Sequence, residues 1–211
     1  MEEFVMTWID ISHPLTEKVA TWSGDTPFSY EVVWPKEESG SVNVGKISMS
    51  IHTGTHIDAP FHFDSEGKRV GALDVSVYIG TSKVIDVSEV SCVTQELLAD
   101  YLPLPPRLLL KTKQQTDPNR FPDHVTELDP RIGPWLKEQG VVLLGIDTAS
   151  VDHLESKEML VHYALFDNGV HILENAWLDH VAPGDYELIA LPLNIIDADG
   201  SPVRAVIRPL L

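Results

Sequence analysis

The segment 52–62, with the sequence HTGTHIDAPFH, constrains this chain more than any other part of it. It holds three histidines and one aspartate, His52, His56, Asp58 and His62, within eleven residues. Imidazole nitrogens and carboxylate oxygens are ligands that suit zinc and also manganese or ferrous iron. Because these groups are costly to bring together out of water without a compensating positive charge, the segment predicts a fold that closes around a divalent cation.

The residues around this cluster predict its backbone path. Apolar residues alternate with polar ones over 47–52, which is the pattern of a strand with one buried face, and His52 falls on the polar face. Gly54 permits a tight turn of the backbone, and Pro60 opposes a helix. We therefore expect the later histidines and the aspartate to lie on an extended or turning segment, where their even spacing directs them to a common side.

Short apolar runs separated by glycine, proline and aspartate predict a chain with many strands and few helices. This mixture predicts an α/β or α+β domain around a mixed sheet, and the length of 211 residues favours one domain spanning 1–211. The expected strands are 8–11, 28–34, 42–52, 82–87, 108–111, 141–146, 188–193 and 203–207, the last two forming a hairpin with its turn at 197–200. The expected helices are 94–102, 130–139 with Asp129 as its cap, and 156–168 with Ser156 as its cap.

The charge and the cysteine content of the chain disfavour several classes of partner. A formal net charge of −17 repels the phosphates of nucleic acids and the headgroups of anionic membranes. Cys92 is the only cysteine, so a metal site must use histidine and carboxylate ligands, and a reducing, cytoplasmic location fits best. The first residues are acidic where a secretory signal would be basic, and no apolar run is long enough to span a membrane.

The segment 52–62 resembles the signature of the metal-dependent cyclase-type hydrolases, His-x-Gly-Thr-His-x-Asp-x-Pro-x-His, and matches it at every fixed position. Further segments resemble the branch of this family that hydrolyses N-formyl-L-kynurenine to L-kynurenine and formate, and the similarity covers nearly the whole chain. These segments are WIDISHPL at 8–15, WSGDTPF at 22–28 and SVNVG at 41–45. Ser23 departs from that branch, which more often has proline there, and the difference leaves the metal motif untouched.

The resemblance implies an α/β fold with a mixed sheet, of the swivelling β/β/α type, and a homodimer. It also implies two divalent ions per chain, most readily zinc with manganese as the alternative, and an amide hydrolysed by a metal-activated hydroxide. One ion would bind His52, His56 and Asp58, and the second would bind His162. Asp58 and Glu174 would bridge the pair, which is a reasonable arrangement because bridging carboxylates can hold two cations about 3.5–4 Å apart.

By the same resemblance, His62 is the acid/base that transfers a proton to the departing aryl amine. A histidine suits this task because its ordinary pKa lies near ~6.5. Trp22 is the residue expected to stack against the aromatic ring of the substrate, with a tryptophan of the core as an equal alternative. The other five histidines are expected to be surface or hydrogen-bonded core residues, namely His13, His124, His153, His171 and His180.

Two other functions remain open from the sequence. The metal motif is shared with isatin hydrolase-like enzymes, so the substrate could instead be another cyclic or open-chain amide. A metal-binding protein without turnover is the second alternative, and the absence of cysteine from the motif counts against it because structural zinc sites are typically closed by cysteines.

Overall fold

The structure is a computed structural model that describes residues 7–113 and 117–210. The prediction that the chain lacks a secretory signal depends on its acidic first residues, and these residues lie outside the described ranges. In the described ranges the strands are β1 (Ile9–Asp10), β2 (Ser29–Trp34), β3 (Val44–Ser48), β4 (His56–Asp58), β5 (Ile79–Asp86), β6 (Cys92–Val93), β7 (Arg107–Lys111), β8 (Glu127–Leu128), β9 (Leu143–Ile146), β10 (His171–Glu174), β11 (Gly184–Ile189), β12 (Gly200–Pro202) and β13 (Val206–Pro209). The helices are α1 (Lys36–Ser39), α2 (Gln95–Ala99), α3 (Ile132–Glu138) and α4 (Leu160–Phe166), with 3-10 turns at Pro60–His62, Val70–Ala72 and Val75–Tyr78.

A nine-stranded mixed sheet organises the fold, in the order β1-β13-β11-β5-β7-β9-β10-β4-β12. Its central strands β5, β7, β9 and β10 run parallel, and the flanking strands pair antiparallel. Parallel neighbours need crossover connections, and α2, α3 and α4 lie in the three crossovers between these strands. The α/β mixed-sheet fold expected from the sequence is therefore confirmed.

The parallel strands are buried on both faces, and successive residues enter different cores. Leu109 of β7 belongs to one hydrophobic cluster, while Leu108 and Leu110 belong to the other. The second cluster is completed by the apolar sides of the helices, including Leu98 of α2 and Leu165 of α4. The helices therefore cover one face of the sheet and hold its carboxyl edge in place.

The sheet is curled so that its two ends approach each other. Ser12, which follows β1, forms a bridge with Ala176, which follows β10. The backbone N–H of Val203 donates to Thr55 at 3.0 Å, which joins the segment after β12 to the residue before β4. This curling encloses the short strand β4 between β10 and β12.

Two strand predictions need correction. The predicted strand 42–52 ends at Ser48, because the chain turns there, and β3 pairs with β2 in a separate two-stranded sheet. β11 and β13 are antiparallel neighbours as expected, but residues 197–200 do not form the turn between them. The connection instead crosses to the opposite end of the sheet, where β12 pairs with β4.

The helix starts differ from the predicted ones. Thr94, the first residue of the predicted helix 94–102, is the cap of α2, with its hydroxyl accepting from the N–H of Leu97 at 3.4 Å. Asp129 binds the backbone N–H of Arg131 instead of capping α3, which begins at Ile132. The left-handed backbone of Met159, with φ of 50°, delays the start of α4 to Leu160. No helix in the described ranges is long and apolar enough to cross a membrane.

Candidate metal centre and active-site cleft

Strand β4 carries the first two site residues into the interior. His56 and Asp58 are both fully buried, and their spacing of two residues in a strand directs them to the same face of the sheet. On one side of β4, His56 lies opposite Glu174 of β10, and on the other side Asp58 lies opposite Gly200 of β12. The pairing of three short strands thus fixes two carboxylates and an imidazole side by side.

The turn before β4 brings His52 to the same place. Gly54 has φ of +68°, and an added Cβ would meet the side chain of Leu15 at 2.9 Å, so glycine is needed at this point. The turn places Nδ1 of His52 at 3.1 Å from Oδ1 of Asp58. It also directs the carbonyl of Gly54 at His56, whose Nδ1 lies 2.9 Å from that oxygen.

The two residues that the resemblance assigned from later in the chain complete the cluster. Nε2 of His162, on α4, lies 3.4 Å from Oδ2 of Asp58 and 3.6 Å from Oε1 of Glu174. Nε2 of His56 lies 3.5 Å from Oδ1 of Asp58 and 3.5 Å from Oε2 of Glu174. Two groups of possible ligand atoms result, His52 with His56 and Asp58, and Asp58 with His162 and Glu174, each within 4.8 Å. Asp58 is common to both groups.

In two of these imidazoles, the ring nitrogen that points away from the cluster forms a hydrogen bond with an oxygen acceptor. A carbonyl and a carboxylate can only accept, so Nδ1 of His56 donates to Gly54 and Nδ1 of His162 donates to Oδ2 of Asp152, at 2.6 Å. In its neutral form, each ring then turns the lone pair of Nε2 towards Asp58 and Glu174. Backbone or carboxylate acceptors of this kind are the usual outer partners of metal-binding histidines.

His52 is held in the same way, by an aspartate from a distant part of the chain. Its Nε2 lies 3.0 Å from Oδ2 of Asp199, at the start of β12. The bond with His52 keeps the pKa of Asp199 low, at about 2, so this carboxylate is ionised and accepts the proton of Nε2. The Nδ1 atom of His52 consequently faces Asp58.

The charges of the cluster fit a bound cation. Both oxygens of Asp58 and Nε2 of His56 are buried and make no hydrogen bond of regular geometry in the described part of the chain. Burial alone would lower the pKa of His56, but the carboxylates of Asp58 and Glu174 outweigh it and raise the pKa to about 10. Burial is outweighed in the same way at His162, whose pKa Asp152 and Asp58 raise to about 10. The cluster therefore demands positive charge, and divalent cations supply it in place of protons.

His62 lies at the mouth of the cluster. The 3-10 turn Pro60–His62, which follows β4, places its ring 3.9 Å from that of His52 and 6.2 Å from that of His162, measured between centroids. The side chain of His62 is 31% exposed. Desolvation by the surrounding residues, together with the nearby His52, lowers the pKa of His62 to about 4. At neutral pH, His62 is therefore an uncharged imidazole that can accept a proton.

A cleft of about 280 Å³ opens from His62 to the surface. Trp22 is half-buried on its wall, held edge to face against Phe121 with centroids 4.8 Å apart. A turn follows Trp22, with the N–H of Asp25 donating to the carbonyl of Trp22 at 3.0 Å. The residues lining the cleft are Trp22, Asp25, His52, His62, Ala149, Ser150, His153, Leu154, Ser156, Met159, His162 and Glu174.

Sequence reasoning missed the two outer aspartates and one cleft residue. Asp152 precedes His162 by ten residues and Asp199 is 147 residues from His52, so no local spacing links either pair. His153, treated as an ordinary surface histidine, is exposed on the cleft wall. Three of the other four have partners in the fold: the ring of His13 stacks on Trp177, His171 bonds to Tyr78, and His180 donates to the carbonyl of Asp10.

A curled mixed sheet buries imidazoles and carboxylates beside an open cleft, an arrangement that fits a metal-dependent hydrolase. The profile of the family described as putative cyclase matches residues 9–153. A kynurenine formamidase from Bacillus cereus is 61% identical over 204 residues, covering 96% of this chain and 98% of that protein. The chain therefore belongs to the cyclase family, as the motif at 52–62 predicted, and to the branch of the kynurenine formamidases, as the segments 8–15, 22–28 and 41–45 predicted.

Solved structures of other hydrolases share the fold. A predicted metal-dependent hydrolase from Bacillus stearothermophilus superposes with a TM-score of 0.80 at 25% identity, over 97% of this chain and 99% of the other. Isatin hydrolase A from Labrenzia aggregata superposes with a TM-score of 0.80 at 25% identity, over 97% of this chain and 94% of the other. At 97% coverage of this chain, these likenesses extend beyond the matched profile, which ends at residue 153.

Proposed function

We propose that the protein hydrolyses the formyl amide of N-formyl-L-kynurenine, giving L-kynurenine and formate. The observation that carries this proposal is the 61% identity, over almost the whole chain, to a protein named kynurenine formamidase. The convergence of His52, His56, Asp58, His162 and Glu174 beside an open cleft supports it, because amide hydrolysis at neutral pH needs an activated water and room for the substrate.

Two divalent cations, zinc in the first place and manganese as the alternative, fit the donor atoms. His52 Nδ1, His56 Nε2 and Asp58 Oδ1 would hold one, and His162 Nε2 would hold the other, with Asp58 and Glu174 shared between them. Ions bound in this way polarise a carbonyl and lower the pKa of water towards ~7. Zinc has the higher affinity for such sites, and cellular supply decides between the two metals.

His62 moves the proton that the reaction transfers. Its lowered pKa makes it neutral before the reaction, so it accepts a proton from the attacking water as oxygen bonds to the formyl carbon. A low pKa also makes the resulting imidazolium a strong donor, and it returns the proton to the aryl amine nitrogen as the C–N bond breaks. Protonation is needed there because an unprotonated amine is a poor leaving group.

Trp22 orients the substrate ring. Its half-buried indole lines the cleft that leads to His62. The edge-to-face contact with the ring of Phe121 restricts the orientation of the indole. A flat arylformamide can stack on the exposed part of this ring, which positions the formyl group towards the cluster.

Two further features of the protein belong to this proposal. Every residue of β2 and β3 is exposed, including Tyr30, Trp34 and Ile47, and an isolated two-stranded hairpin is marginally stable in water. We assign this surface, the β2–β3 hairpin, to contact with a second copy in a two-fold homodimer, which is the commonest oligomer. The proposal also assigns 1–211 to one hydrolase domain and places the protein in the cytoplasm.

A second candidate is hydrolysis of isatin or a related cyclic amide, favoured by the similarity to isatin hydrolase A. Formate release from N-formyl-L-kynurenine, measured before chelation, after chelation, and after adding zinc or manganese, tests the first candidate. We expect release to disappear with chelator and return with the cation. Faster cleavage of isatin than of the formamide would favour the second candidate, and bound metal without either activity would indicate a binding protein.

A further inference from the structure

The approach of β12 to the metal cluster places Asp199 beside two functional histidines. The carbonyl of Asp199 accepts from the N–H of Ala59 at 2.9 Å, directly after β4. The next residue, Gly200, has no room for a side chain, since an added Cβ would lie 2.8 Å from the carbonyl oxygen of Ile57 and 3.0 Å from Cε1 of His52. The backbone of Asp199 is thus fixed within reach of the His52 ring.

One carboxylate oxygen of Asp199 faces both rings. Oδ2 lies 3.0 Å from Nε2 of His52 and 3.8 Å from Nδ1 of His62. The two rings are 3.9 Å apart between centroids and are tilted by 32°. One oxygen therefore hydrogen-bonds to a proposed metal ligand and lies within electrostatic reach of the proposed proton-transfer residue.

We propose that Asp199 is a positioning residue that fixes the tautomer of His52 and orients His62. A carboxylate can only accept, so Nε2 of His52 carries the hydrogen and Nδ1 presents its lone pair on the side of Asp58. The same oxygen favours the hydrogen of His62 on Nδ1, which leaves Nε2 of that ring as the proton acceptor. This inference rests on the proposed function, because it takes His52 as a ligand.

Direct ligation by Asp199 is the competing arrangement, since His52, His62 and Asp199 also form a group of possible ligand atoms. A neutral imidazole has one lone pair, so His52 cannot bind one cation through Nδ1 near Asp58 and another through Nε2 near Asp199. Asp199 is also more open to solvent, with 39% of its side chain exposed compared with 1% for Asp58. The buried position near Asp58 gives a cation the greater electrostatic benefit.

The test compares Asp199→Ala and Asp199→Asn with Asp197→Asn, which changes an exposed acid two residues earlier in the same segment. Zinc is titrated into chelator-treated protein against a competing dye, and the nitrogen-15 spectrum of the histidines gives the protonated nitrogen of each ring. We expect Asp199→Ala to weaken zinc binding about 10- to 100-fold, as loss of an outer partner does, and to mix the tautomers of His52. Asp199→Asn, whose amide oxygen still accepts, retains the tautomer with a smaller loss, and Asp197→Asn matches the unmodified protein.

The proposal is overturned if Asp199→Ala shows unchanged zinc affinity and an unchanged His52 tautomer. It is also overturned if zinc shifts the signal of His52 Nε2 in the unmodified protein, because Asp199 would then be a ligand. If Asp199→Ala does not fold, the isosteric Asp199→Asn is used for the test. A loss of zinc affinity with the His52 tautomer retained supports the positioning role, and an unchanged zinc affinity opposes it. Both measurements are independent of substrate. Failure of the unmodified protein to bind zinc overturns the ligand set and this inference together, whereas normal binding without formate release rejects only the proposed reaction.

Discussion

Oδ2 of Asp152 lies 2.6 Å from Nδ1 of His162, and the same carboxylate accepts the backbone N–H groups of Val161 and His162 at 3.0 Å each. One buried side chain therefore satisfies the first turn of α4 and directs an imidazole into the cluster. The residue before α4, Met159, cannot cap the helix with its own side chain, so Asp152 acts in its place.

Replacement of Asp152 by alanine is expected to lower the free energy of unfolding by about 1–3 kcal/mol, because buried N–H groups lose their acceptor. Urea unfolding of the chelator-treated protein measures this change. Asp167→Ala, at the exposed end of the same helix, is the matched control and should change stability by less than about 0.5 kcal/mol. Equal stabilities for the two variants would contradict the capping role.

Two histidine variants separate metal binding from proton transfer. His56→Ala should lose both metal and activity, since its Nε2 faces Asp58 and Glu174. His62→Ala should retain its metal and lose about 10²- to 10⁴-fold in kcat, the usual contribution of a general acid/base. Metal analysis and kinetics on the same preparations check this, and a His56→Ala protein with full metal content and activity would refute the ligand assignment.

The stability of the metal-free protein should depend on alkaline pH. The pKa values of His56 and His162 are about 10 in the folded protein, above the ordinary 6.5 of the unfolded chain. Protonation of these residues therefore stabilises the fold fully below pH 6.5, and this stabilisation is lost as the pH rises through about 10. We expect the unfolding free energy of chelated protein to fall between about pH 7 and pH 10.

The metal-loaded protein is the control for that experiment, because a cation displaces these protons and removes the pH dependence that they cause. For the same reason the apparent affinity for zinc should rise with pH over this range. A chelated protein whose stability is flat between these pH values would show that the buried imidazoles are not protonated.

Trp22→Ala is expected to raise KM for the formamide about 10-fold, with a smaller change in kcat, because the lost contact binds the ring of the substrate away from the reacting bond. Trp22→Phe retains an aromatic face and should restore most of the affinity. Steady-state kinetics on folded, metal-loaded variants decide the matter. An unchanged KM in Trp22→Ala would assign this tryptophan to packing against Phe121 alone.

Ile47→Lys should dissociate the proposed homodimer, because Ile47 is 59% exposed on the β2–β3 hairpin and a charge there opposes an apolar contact. Light scattering coupled to size exclusion gives the mass of each form, which is 23.4 kDa for one chain. Lys46→Arg, beside it on the same strand, preserves the charge and should not change the mass. An unmodified protein that elutes as a monomer would rule out this assignment.

The sequence predicted the parts of the site that depend on local spacing. Segment 52–62 contains four of the converging residues, and period-two geometry along β4 accounts for two of them, His56 and Asp58. His52 and His62 reach the site through the turns on either side of β4. His162 and Glu174 needed a family resemblance, since their approach depends on how α4 and β10 pack. Asp199 lies in a segment whose composition predicts a turn, and only the pairing of β12 with β4 makes it a partner of His52.

The difference between what local spacing predicts and what tertiary packing decides also applies to the fold. The sequence pattern predicts the ends of the β-branched and leucine-rich central strands to within a few residues, because a strand buried on both faces has a continuous run of apolar residues. Strands β4 and β10 were not identified as strands because they have only three and four residues and carry polar side chains for the site. Tertiary pairing, which no local pattern records, stabilises them.

Asp58 belongs to two of the groups of possible ligand atoms, with one oxygen near His52 and His56 and the other near His162. If two cations bind as proposed, both would use Asp58, and they would not bind independently. Occupancy of one position would fix the plane of this carboxylate and remove part of its negative charge, which favours binding at the other position through geometry and opposes it through charge. Loading of the centre would then be a coupled process whose order depends on which of these opposing effects is larger.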